Sequence, residues 1–165
     1  STCNRVEIYA ATRDNDPALG QALQQFLCDF HALGPAPSDE LYTHSDPQSV
    51  DHLFRVSCGI DSMVLGETEI LGQLKQASQL ALAKKATGAL LNKTFQKAFN
   101  VAKLVRTGTQ IQRGSISVSS VAVELAESIF DSLKSQQVLV IGAGDRLFSL
   151  PPPPSLLRTR NSLFL

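Results

Sequence analysis

Cys3, Arg5 and Glu7 are the first residues whose types and spacing could do chemistry. They enter a short alternating run, Val6-Glu7-Ile8-Tyr9, which reads as a β-strand. In an extended strand, residues two apart share a face. Cys3, Arg5 and Glu7 are therefore expected on one side, and Asn4, Val6 and Ile8 on the other, partly in a core. A thiol becomes a nucleophile as its thiolate, and a nearby cation favours that form. Arg5 can supply this charge, or clamp a substrate carboxylate with its planar fork. The bland alternative is a small buried cysteine beside a surface Arg–Glu pair. On residue types alone that outcome is the commoner one.

Further groups able to do chemistry are scattered. Cys28 and His31 stand three apart, which is half a metal site, and no second Cys/His pair follows at a suitable spacing. No metal site is therefore expected. Cys58 beside Gly59 reads as a structural helix end, and His44 carries no signal. His52 precedes the apolar pair Leu53-Phe54. It reads as a partly buried helix histidine, although an imidazole can also move protons near neutral pH. The stretch GIDSMVLGETEILGQLKQA (59–77) brackets Asp61 and Ser62 between Gly59 and Gly66. Glu67 follows at a helix start, where a carboxylate suits the dipole, and Glu69 and Gln73 share a helix face. The functional alternative is a polar pocket whose carboxylates meet an ammonium group. Lys93, Lys97, Lys103, Arg106 and Arg113 surround a helix and its exit. They read as a solvated face or as a strip for phosphates.

Apolar spacings of three and four predict the helices that carry these groups. The first covers 16–33, with Asp16 as N-cap, Pro17 in its first turn, and a stripe of Leu19, Ala22, Leu23, Phe26, Leu27 and Phe30. The second starts at Asp46-Pro47, buries Val50, Leu53 and Phe54, and stops at Gly59. Others cover 67–85 through Ile70, Leu74, Ala77 and Ala81, and 89–107 through Leu91, Phe95, Ala98, Ala102 and Val105. A last one covers 115–134 through Val118, Val121, Leu125, Ile129 and Leu133. The run VLVI (138–141) then looks like a buried parallel strand, and Gly142-Ala143-Gly144 resembles the turn that opens a dinucleotide-binding βαβ unit. Asp145, Arg146 and Leu147 follow, with Leu147 where a third glycine would stand. Four consecutive prolines, 151–154, cannot continue a helix.

The chain has 165 residues, 43% hydrophobic and 18% charged, so it is expected to bury a core. Its 15 basic and 15 acidic residues cancel, so a nonspecific electrostatic grip on nucleic acid is not expected. No run approaches the ~18 apolar residues of a membrane span, and no signal peptide is visible. Three cysteines at irregular spacing point to a reducing, cytoplasmic compartment.

Three stretches together resemble glutamyl-tRNA reductases: STCNRVEIY, HLFRVSCGIDSMVLGETEILGQLKQA, and FQKAFNVAKLVRTGTQI with GSISVSSVAVELA. The resemblance runs from residue 1 to about 144. It implies an enzyme that reduces the glutamate of glutamyl-tRNA to glutamate-1-semialdehyde with NADPH, the first step of tetrapyrrole synthesis by the five-carbon route. It assigns Cys3 as the nucleophile that forms a thioester, and His52 as a residue supporting proton transfer or positioning. Thr2, Asn4, Arg5, Ser62, Glu67, Thr68, Glu69 and Gln73 match substrate-contacting positions, with Arg5 on a carboxylate of the glutamyl group and Glu67 and its neighbours facing its ammonium and polar edges. Gly142, Ala143, Gly144, Asp145, Arg146 and Leu147 match the nucleotide-binding turn. The implied partners are glutamyl-tRNA, a second copy of the chain, and the aminomutase that consumes the semialdehyde.

The expected fold class is α+β, mostly helical. A small β-containing catalytic subdomain covers about 1–45, and helices cover about 46–135. Together, 1–135 form a catalytic domain expected to lack N-terminal strands. The start of an NADPH-binding Rossmann domain follows at 136–150, and 151–165 form an aberrant, disordered Pro-rich tail. A lone strand and turn lack the crevice a dinucleotide needs, so this chain is expected at most to form the thioester or hydrolyse the ester, and not to complete reduction. Two other readings stand beside this one: a noncatalytic module that holds tRNA or a protein partner, and a thiol-dependent dehydrogenase acting on free aldehydes.

Overall fold

The structure, a computed structural model, describes residues 2, 4–13, 16–34, 41–112, 118–130 and 133. Cys3, Arg113, the strand expected at 138–141, the turn at 142–147 and the tail at 151–165 lie outside the described residues. Five helices follow one another: α1 (Leu19–His31), α2 (Gln48–Cys58), α3 (Glu69–Ala83), α4 (Ala89–Gly108) and α5 (Val118–Ile129). No helix among the described residues is long and apolar enough to cross a membrane.

The core is built where α2, α3 and α4 meet, with α2 lying along α4 and α3 touching both. Leu53 of α2 packs on Phe95 and Ala98 of α4, and Tyr9, Phe54, Leu74, Leu91 and Phe99 close around them. One turn further along, Cys58, Leu71 and Ala102 form a second cluster with Phe99, Val101 and Val105. The stripe expected on α4 is the stripe observed, because Phe95, Ala98 and Ala102 are all buried. Ala98 and Ala102 have no exposed surface, and their methyl side chains let α2 approach closely. Burying one leucine such as Leu53 contributes roughly 1.5–3 kcal/mol.

Four expected faces are corrected. On α1, Cys28 is buried and Leu23 and Leu27 are half-buried, whereas Ala22, Phe26 and Phe30 are exposed. The helix rests on the segment after residue 40, where Gln24 donates to the Thr43 hydroxyl at 2.9 Å, so its inner face is set by Gly20 and Gln24. Phe26 and Phe30 stack on each other instead, with ring centroids 5.9 Å apart. On α2, Val50 is exposed, and burial moves on to Val56, Ser57 and Cys58, the last packing with Leu71 of α3 and Ala102 of α4. Ala77 of α3 is exposed, as are Val121, Leu125 and Ile129 of α5.

The strand expected at 6–9 is not observed. No residue among the described ones is in a strand, because a strand needs a pairing partner and the run 5–12 meets none there. The alternation survives with its sides exchanged. Val6 and Ile8 are 45% and 37% exposed, while the side chains of Arg5 and Glu7 are only 16% and 13% exposed. The polar face turns inward because a cluster of hydrogen-bonding partners waits there.

Candidate functional site

Glu7 sits at the centre of that cluster. Its Oε1 accepts from the Tyr42 hydroxyl at 2.7 Å and lies 2.9 Å from His52 Nε2. Its Oε2 accepts from the Tyr9 hydroxyl at 2.5 Å. Arg5 Nη1 stands 3.5 Å from Oε1. On the far side of the imidazole, His52 Nδ1 lies 3.3 Å from Asp61 Oδ2. Asp61 also holds Arg5: its Oδ1 lies 3.2 Å from Nη1, and its main-chain carbonyl accepts from Nη2. One guanidinium, one imidazole, two carboxylates and two phenols thus form a single network. The His44 ring flanks His52 at 4.8 Å.

Each member is held by a different local device. Thr2 turns the chain into Arg5, its hydroxyl accepting from the backbone N–H of Asn4 and of Arg5 at 3.1 Å each. His52 is fixed by α2, one residue before buried Leu53. Asp61 is fixed by the end of α2. Gly59 takes a left-handed conformation (φ 74°), and the backbone N–H groups of Ile60 and Asp61 return to the Arg55 carbonyl at 2.9 and 3.3 Å. Gly66 (φ 81°) closes the 59–66 loop by donating to the Gly59 carbonyl at 2.8 Å.

Burial opposes ionisation of Glu7, yet hydrogen bonds from Tyr9, Tyr42 and His52 outweigh it and hold its carboxyl below the ordinary 4.5. Burial also opposes the Arg5 cation, and Tyr42, Asp61 and Glu7 overcome it to raise its pKa. Burial and donation to Glu7 push Tyr42 up from 10.0 to about 12, and push Tyr9 further the same way.

The tyrosines give a direct check, since the chain has two and no tryptophan. A phenol whose folded pKa is raised stabilises the fold fully below its unfolded value of 10.0. That contribution fades as pH climbs toward about 12. Near-ultraviolet titration is expected to show little tyrosinate at about pH 11 while the helices persist, then both phenolates together on unfolding. Two tyrosines titrating normally in a folded chain would contradict the network.

Of the substrate-contacting residues expected from sequence, the structure joins Arg5 to His52 through Glu7 and Asp61, with Thr2 shaping the turn before Arg5. Ser62 follows Asp61, its hydroxyl accepting from the Val64 N–H at 3.2 Å. Asn4 is exposed. Glu67, Thr68, Glu69 and Gln73 lie at and beyond the start of α3. Among the described residues, no hydrogen bond or ion pair joins the side chains of Glu67, Thr68 or Gln73 to the network. The Glu67 main-chain carbonyl accepts from Arg106 Nη2 at 3.1 Å, and Gln73 Oε1 is buried without a hydrogen-bond partner among the described residues. Sequence reasoning named Glu7 without assigning it a role in the site, placed Asp61 only within a polar pocket whose carboxylates meet an ammonium group, and missed Tyr9 and Tyr42 there. The spacing Arg5-Glu7-Tyr9 carried a signal, one polar face two residues in period; Tyr42 carried none.

Residues 1–109 match the family model described as glutamyl-tRNAGlu reductase, N-terminal domain. A glutamyl-tRNA reductase of Magnetococcus marinus is 53% identical over 146 residues, covering 88% of this chain and 34% of the relative. Those of Geobacter metallireducens and Akkermansia muciniphila are 46% and 50% identical over 88% of this chain, covering 33% and 42% of their own lengths. The chain thus spans about a third of the length of the Magnetococcus and Geobacter relatives. No solved structure matches it. With a family model covering the run that carries Arg5, Glu7, His52 and Asp61, the chain belongs to the glutamyl-tRNA reductase family.

Proposed function

We propose that this chain is the part of an NADPH-dependent reductase that takes the glutamyl group from glutamyl-tRNA onto Cys3. The observation that carries the reading is the network anchored on Arg5, two residues from Cys3 in sequence. It brings together on folded elements a guanidinium, an imidazole and an open carboxylate. The thiolate of Cys3 attacks the ester carbonyl; a C–S bond forms, the C–O bond to the ribose breaks, and tRNA leaves as its alcohol after taking a proton. Sulfur donates less into the carbonyl than ester oxygen does, which readies the acyl group for hydride. NADPH supplies that hydride when bound; Gly142, Ala143, Gly144, Asp145, Arg146 and Leu147 are the residues proposed to hold it, and reduction is assigned to the whole protein. Arg5 orients the glutamyl carboxylate, and Gln73 offers a buried acceptor that still lacks a donor. His52 has a carboxylate at each ring nitrogen, so its proposed role is to position Glu7 and Asp61 rather than to move a proton.

The other thiols make poor competitors. Cys28 and Cys58 are 1% and 2% exposed, and burial pushes the Cys58 thiol up against the opposing pull of Arg106. The small β-containing subdomain, the Rossmann start at 136–150, the cytoplasmic setting, the homodimer and the aminomutase partner belong to the same proposal. A second reading, retention of tRNA without chemistry, is favoured by α4, which carries Lys93, Lys97, Lys103 and Arg106 and no carboxylate over 20 residues. Glutamyl-tRNA labelled in the amino acid separates the two. Wild type is expected to acquire label that Cys3→Ser does not, with tRNA binding retained in both. Binding by both with label in neither would leave only the second reading.

A further inference from the structure

The two carboxylates of the network differ in how much of each is already used. Glu7 is enclosed, 13% exposed, with contacts to Tyr9, Tyr42, His52 and Arg5. Asp61 is 38% exposed, and among the described residues its carboxylate meets Arg5 and the His52 ring. Two carboxylates share one guanidinium and one imidazole, and the open end of the network is at Asp61. A cation would meet a carboxylate with free surface. The position is also rigid, because the Asp61 backbone is tied at both ends: its N–H to the Arg55 carbonyl and its own carbonyl to Arg5. A fixed carboxylate costs little reorganisation on binding, which favours selectivity.

We propose that Asp61 is the specificity-determining residue for the free α-ammonium of the aminoacyl substrate, working beside the carboxylate-binding Arg5. The proposal rests on the acyl-transfer reading above, and it names which end of the amino acid each charge reads. Asp61 accepts from the ammonium through the edge that Arg5 and His52 leave open, and the guanidinium and ring keep that edge pointed outward. An amino group made neutral by acylation presents one N–H in place of three and no charge. The site then loses a charge-assisted hydrogen bond.

The test is binding, so that it does not depend on acyl transfer. In the Cys3→Ser chain, calorimetry would compare glutamate α-methyl ester with its N-acetyl derivative. The free-amine probe is expected to bind about ten-fold more tightly. Adding Asp61→Asn, which keeps the shape and removes the charge, is expected to bring the two probes within about two-fold of each other. Equal binding of both probes without the Asp61 change overturns the proposal, and so does no binding of the free amine; neither result needs a new variant to fold. A preference that survives Asp61→Asn in a chain of unchanged helix content overturns it as well. Absence of labelled transfer from glutamyl-tRNA, with the Asp61-dependent preference intact, would strike the acyl-transfer reading and spare this one.

Discussion

Replacing Glu7 by alanine is expected to destabilise the chain by about 3 kcal/mol. One truncation removes the acceptor for two phenols and an imidazole and takes one of two counter-charges from Arg5. Arg5 and His52 retain Asp61, which limits the loss, whereas Tyr9 keeps no comparable acceptor in the network. Buried donors left unpaired cost about 1–3 kcal/mol each when water cannot reach them. Glu7→Gln, which keeps an acceptor oxygen and the shape, should fall between wild type and Glu7→Ala. The pH dependence follows from the direction of the shift. The Glu7 carboxyl is held below 4.5 in the fold, so its contribution is complete above that value. It is lost as pH falls through the lowered pKa. Denaturant unfolding near neutrality and near pH 3 should show a steep acid loss in wild type and a shallower one in Glu7→Ala. Equal stability of the two at neutral pH would mean that the network holds nothing together.

Gly66→Ala is expected to be as damaging for a different reason. At φ 81° a side chain is strained, which costs about 1–3 kcal/mol by itself. A Cβ there would also stand 2.0 Å from the Ile111 carbonyl oxygen and 2.8 Å from its carbon. Both are backbone atoms, so no rotamer change relieves the contact; either the 59–66 loop or the chain after α4 must move. Against the ~5–15 kcal/mol that holds a small domain together, a drop in thermal midpoint of roughly 10 °C or more is expected by circular dichroism. Gly72→Ala is the matched control. It lies inside α3 with nothing within 4 Å of its would-be Cβ, and alanine should stabilise that helix by about 0.5–1 kcal/mol. Equal midpoints for the two variants would show that the loop does not bear on Ile111.

The helices were legible because they are stripes. On α4 the spacing of Leu91, Phe95, Ala98 and Ala102 named both the element and its inner face, since a partner covers that face. On α1 the same periodicity named the element and chose the wrong side, because Phe26 and Phe30 meet no helix among the described residues. Spacing fixes which residues share a face; only the neighbour decides whether that face is inside. Residues 5–9 show the same limit in an extended run. The alternation was correct, but hydrophobicity favoured burying Val6 and Ile8, while the hydrogen-bond demand of Arg5 and Glu7 decided the side. His52 and Arg5 were named from motif resemblance. Tyr42, 35 residues from Glu7, could not be found by any local pattern, since the fold alone brings it there.

Ala98 and Ala102 act as a gauge. His52 rides on α2, and the distance from α2 to its neighbour is fixed where these two methyl groups meet Leu53 and Cys58. The spacing between the imidazole and Glu7, whose run rests on α4 through Tyr9 on Phe95, is thus calibrated by two alanine methyl groups. An evolutionary step from alanine to valine there would leave every polar group in place by name, yet retune the clearances among them.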